Sequence, residues 1–339
     1  MINISTLTIT DILEGYKSKK FSVFEVVSSY LERIEKYDPA LNSFITITKD
    51  EALKKAKELD SKTDTISTNP LFGVPVALKD MYMTKGIQTS AASNVLRNYI
   101  PPVDAEVVKK YKDAGAIIIG KLNHDAWAHG SSGENSDFGV TLNPWDTEYV
   151  PGGSSSGSGV SIAAGFTPVA SGTDTGGSIR QPASFTNTVG LKPTYGRVSR
   201  SGIIAMASSL DSIGHFTKTV SDSAQVLQVT AGKDSMDATL TPTDVPNYLE
   251  SLRKGVKGMK IGVPKEFVEK GLQPEVKTVF EKAIKDFEEL GAEIVDVSLP
   301  HTEYGIAIYY IIQTAEVSSN LARYDGIRFG NGRDMFGSE

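Results

Sequence analysis

The chain has 339 residues, 40% of them hydrophobic and 22% charged, which is typical of a folded globular protein. Its 35 lysines and arginines are outnumbered by 41 aspartates and glutamates, so no basic surplus is available to hold nucleic acid by neutralising phosphates. The sequence has no cysteine, which excludes disulfides, thiolate nucleophiles and cysteine-ligated metal centres.

Helix-like and strand-like patterns alternate over the first 120 residues. Ser22 and Glu25 have the spacing of a capping box at the start of a helix. A helix, a glycine and then a β-branched run, as found near 104–120, are typical of a sheet with largely parallel strands. The predicted elements are, in chain order, a helix over 22–38, a strand over 43–48, a helix from 50, a strand over 74–78, a helix over 104–114 and a strand over 116–120.

The pattern changes between 121 and 159, where Gly, Ser, Asn and Asp dominate and no period survives. Irregular stretches of this length inside a compact domain are usually functional. Regular patterns resume in the second half of the chain, with a helix at 221–231, a strand at 260–263, a helix at 275–290, a strand at 293–297 and a helix at 303–324. The sequence therefore predicts an α/β fold with a mixed central β-sheet covered by α-helices on both faces.

The sequence shows neither a secretory signal nor a membrane-spanning segment. The N-terminal residues lack the basic start and the apolar stretch of a secretory signal. The longest apolar run, at 306–312, is far shorter than the roughly 20 residues that span a bilayer. We therefore expect a cytoplasmic protein.

The Gly/Ser tract PGGSSSGSG at 151–159 is the first candidate for chemistry. A phosphate-binding P-loop would need a lysine after its glycines, and a dinucleotide fingerprint would need a third glycine, and both are absent. The tract also fits the nucleophile-elbow pattern around Ser155, but the residues before it are turn-like rather than a strand. By itself the tract therefore predicts neither a nucleotide-binding loop nor a nucleophile elbow.

The second candidate is the segment GTDTGGSIRQP at 172–182. Its two glycines allow consecutive backbone N–H groups to turn toward one point, as an oxyanion hole requires. A plain structural turn would have the same sequence, so this segment alone does not decide between the two.

The third candidate is Lys79, which directly follows an apolar run. Burial disfavours the charged form of a lysine and turns it into a usable base. The alternative is a lysine that reaches solvent and pairs with Asp80. Histidine offers no comparable base or metal site, because none of the four has a helical metal-ligand spacing, and we expect ordinary core or surface positions for His124, His129, His215 and His301.

Together, the segments GVPVALKD at 73–80, PGGSSSGSG and GTDTGGSIRQPA resemble the amidase signature family. The Ser–Ser–Lys hydrolases of this family cleave amides without histidine, and the resemblance extends through essentially the whole chain. The segments at 191–214 and 318–330 further resemble the A subunits of tRNA-dependent amidotransferases. The resemblance implies an amidase-signature fold.

The resemblance also assigns roles to individual residues. Ser178 matches the acyl-forming nucleophile, Ser154 the bridging serine and Lys79 the terminal base. The resemblance implies an oxyanion hole formed by the backbone of Thr175, Gly176 and Gly177. The resemblance also implies supporting roles for Ser155, Asp174 and Arg180. It implies a contact with substrate for Tyr309.

The implied function is that of a glutaminase subunit. Ammonia from glutamine would pass to a B subunit that activates the misacylated Glu-tRNA(Gln), or Asp-tRNA(Asn), with ATP and Mg²⁺, and a C subunit would join the two. No cofactor or metal is expected in this chain itself, and the tRNA-binding charge would lie mainly on the B subunit. A stand-alone amidase of the same family remains an alternative.

Family members continue beyond the point where this sequence stops. Their continuation supplies an arginine and an aspartate that bind the α-carboxylate and α-amino groups of glutamine. We therefore expect residues 1–339 to form a single amidase domain that is C-terminally incomplete relative to the family. A catalytically silent truncated fragment is the remaining alternative.

Overall fold

The computed structural model describes residues 4–268 and 271–330. Its helices are α1 Ile9–Lys17, α2 Val23–Tyr37, α3 Lys49–Asp60, α4 Glu106–Asp113, α5 Ser156–Ala163, α6 Arg180–Thr186, α7 Val220–Thr230, α8 Tyr248–Leu252, α9 Pro274–Glu289 and α10 Gly305–Leu321. Its strands are β1 Phe44–Ile47, β2 Pro75–Lys79, β3 Ile117–Leu122, β4 Val169–Asp174, β5 Val189–Leu191, β6 Ser212–Thr217, β7 Lys260–Pro264 and β8 Glu293–Val297. The predicted combination of a mixed sheet with helices is confirmed.

Local sequence signals account well for the early helices. The capping box of α2 is complete, because the Ser22 side chain accepts from the Glu25 amide and the Glu25 carboxylate accepts from the Ser22 amide. One face of α2 is then buried, as the helical spacing of its apolar residues requires. The buried residues of this face are Val23, Val26, Val27, Tyr30, Leu31 and Ile34.

The central sheet has six strands in the order β1-β3-β2-β4-β6-β5. Strand β2 is parallel to both β3 and β4, whereas β6 runs antiparallel to β4 and to β5. Strands β1 and β5 form the two edges of the sheet, and β1 pairs antiparallel with β3. Every residue of β2, β3, β4 and β6 is buried, so these strands lie inside the protein on both faces. Side chains at their ends are therefore held in a dry environment.

The chain divides into two units, the first comprising 1–246 with 315–339 and the second 247–314. The first contains the six-stranded sheet. The second contains a separate parallel pair, in which β7 and β8 are aligned from Lys260 opposite Glu293 to Pro264 opposite Val297. The expectation of a single domain stays a prediction. The chain's final segment, 331–339, lies outside the described residues.

Several elements of the first unit have no clear signal in the sequence, notably α5, α6, β5 and β6. Helix α5 begins at Ser156, inside the Gly/Ser tract, and seven of its eight residues are buried. A helix buried all round shows no amphipathic period, so its pattern resembles a loop. None of the described helices is long and apolar enough to cross a membrane.

Candidate active site

Lys79 is the last residue of β2, and its side chain is completely buried. Its Nζ atom lies within hydrogen-bond distance of three hydroxyl oxygens: Ser154 Oγ at 2.8 Å, Ser155 Oγ at 3.0 Å and Thr173 Oγ1 at 2.8 Å. No carboxylate of the described chain forms an ion pair with it. Three hydroxyl oxygens therefore surround the amine, which is enough to fill all of its hydrogen-bonding positions.

The surroundings of Lys79 favour its neutral form. Burial lowers the pKa of Lys79 from 10.5 to about 7, against the charges of Asp125, Asp174 and Asp211, which raise it. The alternative of a lysine paired with Asp80 is wrong. Asp80 instead forms a buried ion pair with Lys121, with an N–O distance of 3.1 Å.

The Gly/Ser tract supplies two of the three hydroxyls. The peptide bond between Gly153 and Ser154 is cis, and Ser154 and Ser155 both direct Oγ to the lysine amine. The amide of Ser155 donates to the carbonyl oxygen of Ser178 at 3.2 Å. The structure thus brings Lys79, Ser154 and Ser155 together and ties them to the main chain of Ser178.

Ser178 lies in the turn between β4 and α6, with 8% of its surface exposed. Asp174 organises this turn, since its carboxylate accepts from the amides of Gly177 at 2.9 Å and Ile179 at 3.1 Å and from Arg180 Nη2 at 2.9 Å. Burial opposes ionisation of Asp174, but the hydrogen bonds from Arg180 outweigh it, and the pKa of the carboxyl lies below its ordinary value. These contacts are of the supporting kind expected for Asp174 and Arg180.

The backbone around Ser178 offers amides for an oxyanion. The Gly177 N–H is already used, because it donates to Asp174. The amides of Thr175, Gly176 and Ser178 have no hydrogen-bond acceptor within the described ranges. In this conformation, three N–H groups are therefore free for an oxyanion, and Gly177 is not among them.

Three residues near the lysine were not identified from the sequence. Thr173 contacts Lys79 directly, whereas Asp125 and Asp211 act on it through their charge. Thr173 had one usable signal: it stands two residues after Ser171 in β4, and alternate residues of a strand share a face. The Ser171 Oγ accepts from the Lys79 backbone amide at 2.9 Å. This face of β4 therefore binds both the backbone of Lys79, through Ser171, and its side-chain amine, through Thr173.

A cavity of about 190 Å³ lies beside Thr173. Its wall also includes Met81, Met206 and Asp211, with Arg200 among the further lining residues. Thr175 Oγ1 donates to Asp211 at 2.6 Å, which connects this wall to the turn that carries Ser178. The site therefore has space next to the lysine's partners for a small molecule.

The histidines and Tyr309 are the remaining candidates. His124 and His215 are buried, and burial lowers the pKa of both; His129 and His301 are exposed. The expected core and surface positions of the histidines are confirmed. Tyr309 lies in α10, within the second unit, and is half-buried, and its contact with substrate stays a prediction.

Comparisons with known proteins find matches over almost the whole length of the chain. The family model described as Amidase matches residues 25–338. The relatives include the A subunit of a glutamyl-tRNA(Gln) amidotransferase from Geobacter metallireducens, 54% identical over 96% of this chain and 67% of the relative. The corresponding protein from Alkaliphilus metalliredigens is 54% identical over 97% of this chain and 68% of the relative. The chain thus spans about two thirds of the length of these relatives.

Solved structures agree with the sequence comparison. The A subunit of the glutamyl-tRNA(Gln) amidotransferase from Thermotoga maritima is 42% identical with a TM-score of 0.83, covering 94% of this chain and 67% of that one. Peptide amidase from Stenotrophomonas maltophilia is 34% identical with a TM-score of 0.88, covering 95% and 68%. With a family model that matches nearly the whole sequence and relatives this similar, the chain belongs to the amidase signature family.

Proposed function

We propose that this chain is the glutaminase subunit of a tRNA-dependent amidotransferase and that it releases ammonia from the side-chain amide of glutamine. The observation that carries the proposal is the buried amine of Lys79, hydrogen-bonded only to hydroxyls of the described chain. The choice of substrate rests on the amidotransferase subunits that are 54% identical over almost the whole chain.

The first step acylates Ser178. Neutral Lys79 takes the proton of Ser154, and Ser154 takes the proton of Ser178 while the Ser178 oxygen bonds to the carboxamide carbon. The negative charge that develops on the amide oxygen is held by free backbone N–H groups of the turn, at Thr175, Gly176 and Ser178. Each such donor contributes about 3–4 kcal/mol to the stability of the transition state.

The second step releases ammonia. The proton held by Lys79 returns through Ser154 to the departing nitrogen, the carbon–nitrogen bond breaks, and a γ-glutamyl ester remains on Ser178. Water then attacks the ester and passes a proton through Ser154 to Lys79, and glutamate is freed. We call this proton path from Ser178 through Ser154 to Lys79 the relay. The relay needs a base that is neutral near neutral pH, and the pKa of about 7 for Lys79 meets this condition.

The proposal extends to the complex in which the chain would act. A B subunit would use ATP and Mg²⁺ to activate Glu-tRNA(Gln), or Asp-tRNA(Asn), and would receive the ammonia, and a C subunit would hold the two together in the cytoplasm. The net charge of −6 on this chain agrees with tRNA being bound mainly by the partner subunit. Residues 1–339 would form one amidase domain.

The test is ammonia release from glutamine by the 339-residue chain mixed with B and C subunits, with and without Glu-tRNA(Gln) and ATP. Ser178→Ala, Ser154→Ala and Lys79→Met are compared with Lys54→Met, a substitution of an exposed lysine on α3. We expect release by the wild type and by Lys54→Met, stimulation by tRNA, and losses of several hundredfold or more in the three site variants.

Other outcomes separate the alternatives. Hydrolysis of small amides that ignores tRNA and the partner subunits would favour a stand-alone amidase. Activity retained in Ser178→Ala would refute the assignment of the nucleophile. A folded chain that releases no ammonia with any partner would show that residues 1–339 do not suffice for glutaminase activity.

A further inference from the structure

Asp125 lies just beyond the end of β3, and its carboxylate is completely buried. Oδ1 accepts from the amide of Gly133 at 3.1 Å and from the amide of Asn135 at 3.0 Å. Oδ2 is also 3.1 Å from the Gly133 amide. The carboxylate therefore fixes the segment that follows it, and its charge is held by backbone donors rather than by a cation.

The same residue is attached to the Gly/Ser tract. Its backbone amide donates to the carbonyl oxygen of Ser154 at 3.2 Å. Its side chain lies against Gly153 and Gly130: a Cβ atom on Gly153 would be 2.0 Å from Oδ2, and one on Gly130 would be 2.4 Å from Cγ. Only glycine at these two positions allows the carboxylate to come so close to the backbone.

The charges of three carboxylates raise the pKa of Lys79, and the three differ in their hydrogen-bond partners. Asp174 is tied to the turn of Ser178, and Asp211 accepts from the Met206 amide at 2.9 Å. Asp125 is the one of the three that is hydrogen-bonded to Ser154 in the described part of the chain.

We propose that Asp125 is a positioning residue of the relay: it sets Ser154 against Lys79, and its fixed negative charge acts on the amine. The inference rests on the proposed function, in which Ser154 carries the proton between Ser178 and Lys79. A carboxylate free to move would form an ion pair with the lysine and hold it in the charged form. Because backbone amides fix Asp125, it stabilises the transient ammonium without contacting it.

The other ionisable groups around Lys79 remain in place when Asp125 is changed. They are Asp174, Asp211 and the imidazole of His124, whose Nδ1 is 2.7 Å from the Asp125 carbonyl oxygen. The change Asp125→Asn removes one negative charge and keeps an oxygen that can accept from Gly133 and Asn135. Without that charge the pKa of Lys79 falls further, so the pH at which the relay becomes active moves toward acid.

The experiment measures the rate at which a fluorophosphonate modifies Ser178, followed by mass spectrometry of the 339-residue chain between pH 5 and 10. This reaction needs the relay but not glutamine, tRNA or partner subunits. The matched control is Asp137→Asn, because Asp137 is an exposed carboxylate near the same segment that also accepts a backbone amide, that of Asn94 at 2.6 Å. Folding is checked by circular dichroism and thermal unfolding.

For Asp125→Asn we expect a labelling rate at pH 9 about tenfold lower than that of the wild type. The NH2 group that replaces Oδ2 cannot accept from the Gly133 amide, and it disturbs the packing against Gly153, the residue before Ser154. We also expect the acid limb of its profile to shift by about one pH unit toward acid. Asp137→Asn should match the wild type. A profile of Asp125→Asn that superimposes on the wild type would overturn the inference. If the wild type itself does not label at Ser178, the proposed function fails instead, which keeps the two failures distinct.

A second variant covers the case in which Asp125→Asn does not fold. Gly130→Ala keeps the negative charge but places a methyl group 2.4 Å from the carboxylate carbon. Slower labelling of Ser178 by a folded Gly130→Ala chain supports the positioning role, and an unchanged rate contradicts it.

Discussion

The buried amine of Lys79 makes the stability of the protein depend on pH in a direction opposite to that of most lysines. In the unfolded chain the amine stays protonated up to a pKa of 10.5, whereas in the folded chain burial lowers this pKa to about 7. Between these two values the unfolded state binds one more proton than the folded state. The free energy of unfolding therefore rises with pH in this window and is lowest below about pH 7, where the charge must be buried.

The size of the effect follows from the two pKa values. One proton of difference corresponds to a slope of about 1.4 kcal/mol per pH unit. Across the whole window, the pKa difference corresponds to ~5 kcal/mol, a large fraction of the stability of an ordinary domain. Lys79→Met keeps the length and volume of the side chain and removes the titrating group. The variant should lose this slope and be more stable than the wild type at pH 6.

The assay is urea denaturation of the wild type and Lys79→Met at intervals from pH 6 to pH 10. Subtracting the two curves removes the contributions of all other titrating groups, and exposed Lys54→Met provides the control. We expect the difference to shrink steadily above pH 7. Parallel curves for wild type and Lys79→Met would refute the claim that Lys79 is buried with a depressed pKa.

Two further substitutions test one contact of the site and one close approach within the central sheet. Thr173→Val preserves shape but removes the hydroxyl 2.8 Å from Lys79 Nζ, so urea denaturation at pH 9 should show a loss of about 1–3 kcal/mol; an unchanged unfolding midpoint would contradict the contact. Gly214→Ala places a Cβ 2.0 Å from the Leu191 carbonyl oxygen, and we expect thermal unfolding to show a loss of about 2 kcal/mol or more. Gly305→Ala, where a Cβ would meet nothing within 4 Å, should be neutral, and an equal effect of both alanines would point to a cause other than the clash.

The elements that could be predicted from the sequence are those whose signals are local. The capping box of Ser22 and Glu25 and the apolar spacing that follows it define α2 without reference to the rest of the chain. Strand β8 occupies the predicted residues, Glu293–Val297, because a short β-branched run follows a glycine turn. Helix α5 could not be predicted in this way, since its buried serines and glycines pack against neighbours that are distant in sequence.

The residues of the candidate site also differ in whether their signal in the sequence is local. Lys79 stood out because a lysine directly after an apolar run is unusual by itself. Thr173 gave only its alternation with Ser171, and Asp125 gave no signal, because the importance of both residues depends on how β2, β3 and β4 lie side by side in the sheet. Similarly, no local pattern shows that the Gly177 amide is taken by Asp174, which is a matter of how one turn closes.

The burial of Lys79 also has a consequence for chemical modification. A neutral amine reacts readily with acylating reagents, so at pH 7–8 the lysine with the lowest pKa would ordinarily be the first to react. Lys79 has no exposed surface, and a reagent can reach it only when the turns that cover it open. The rate at which amine-reactive compounds acylate this residue, relative to exposed lysines, therefore reports how often the interior of the sheet opens to solvent.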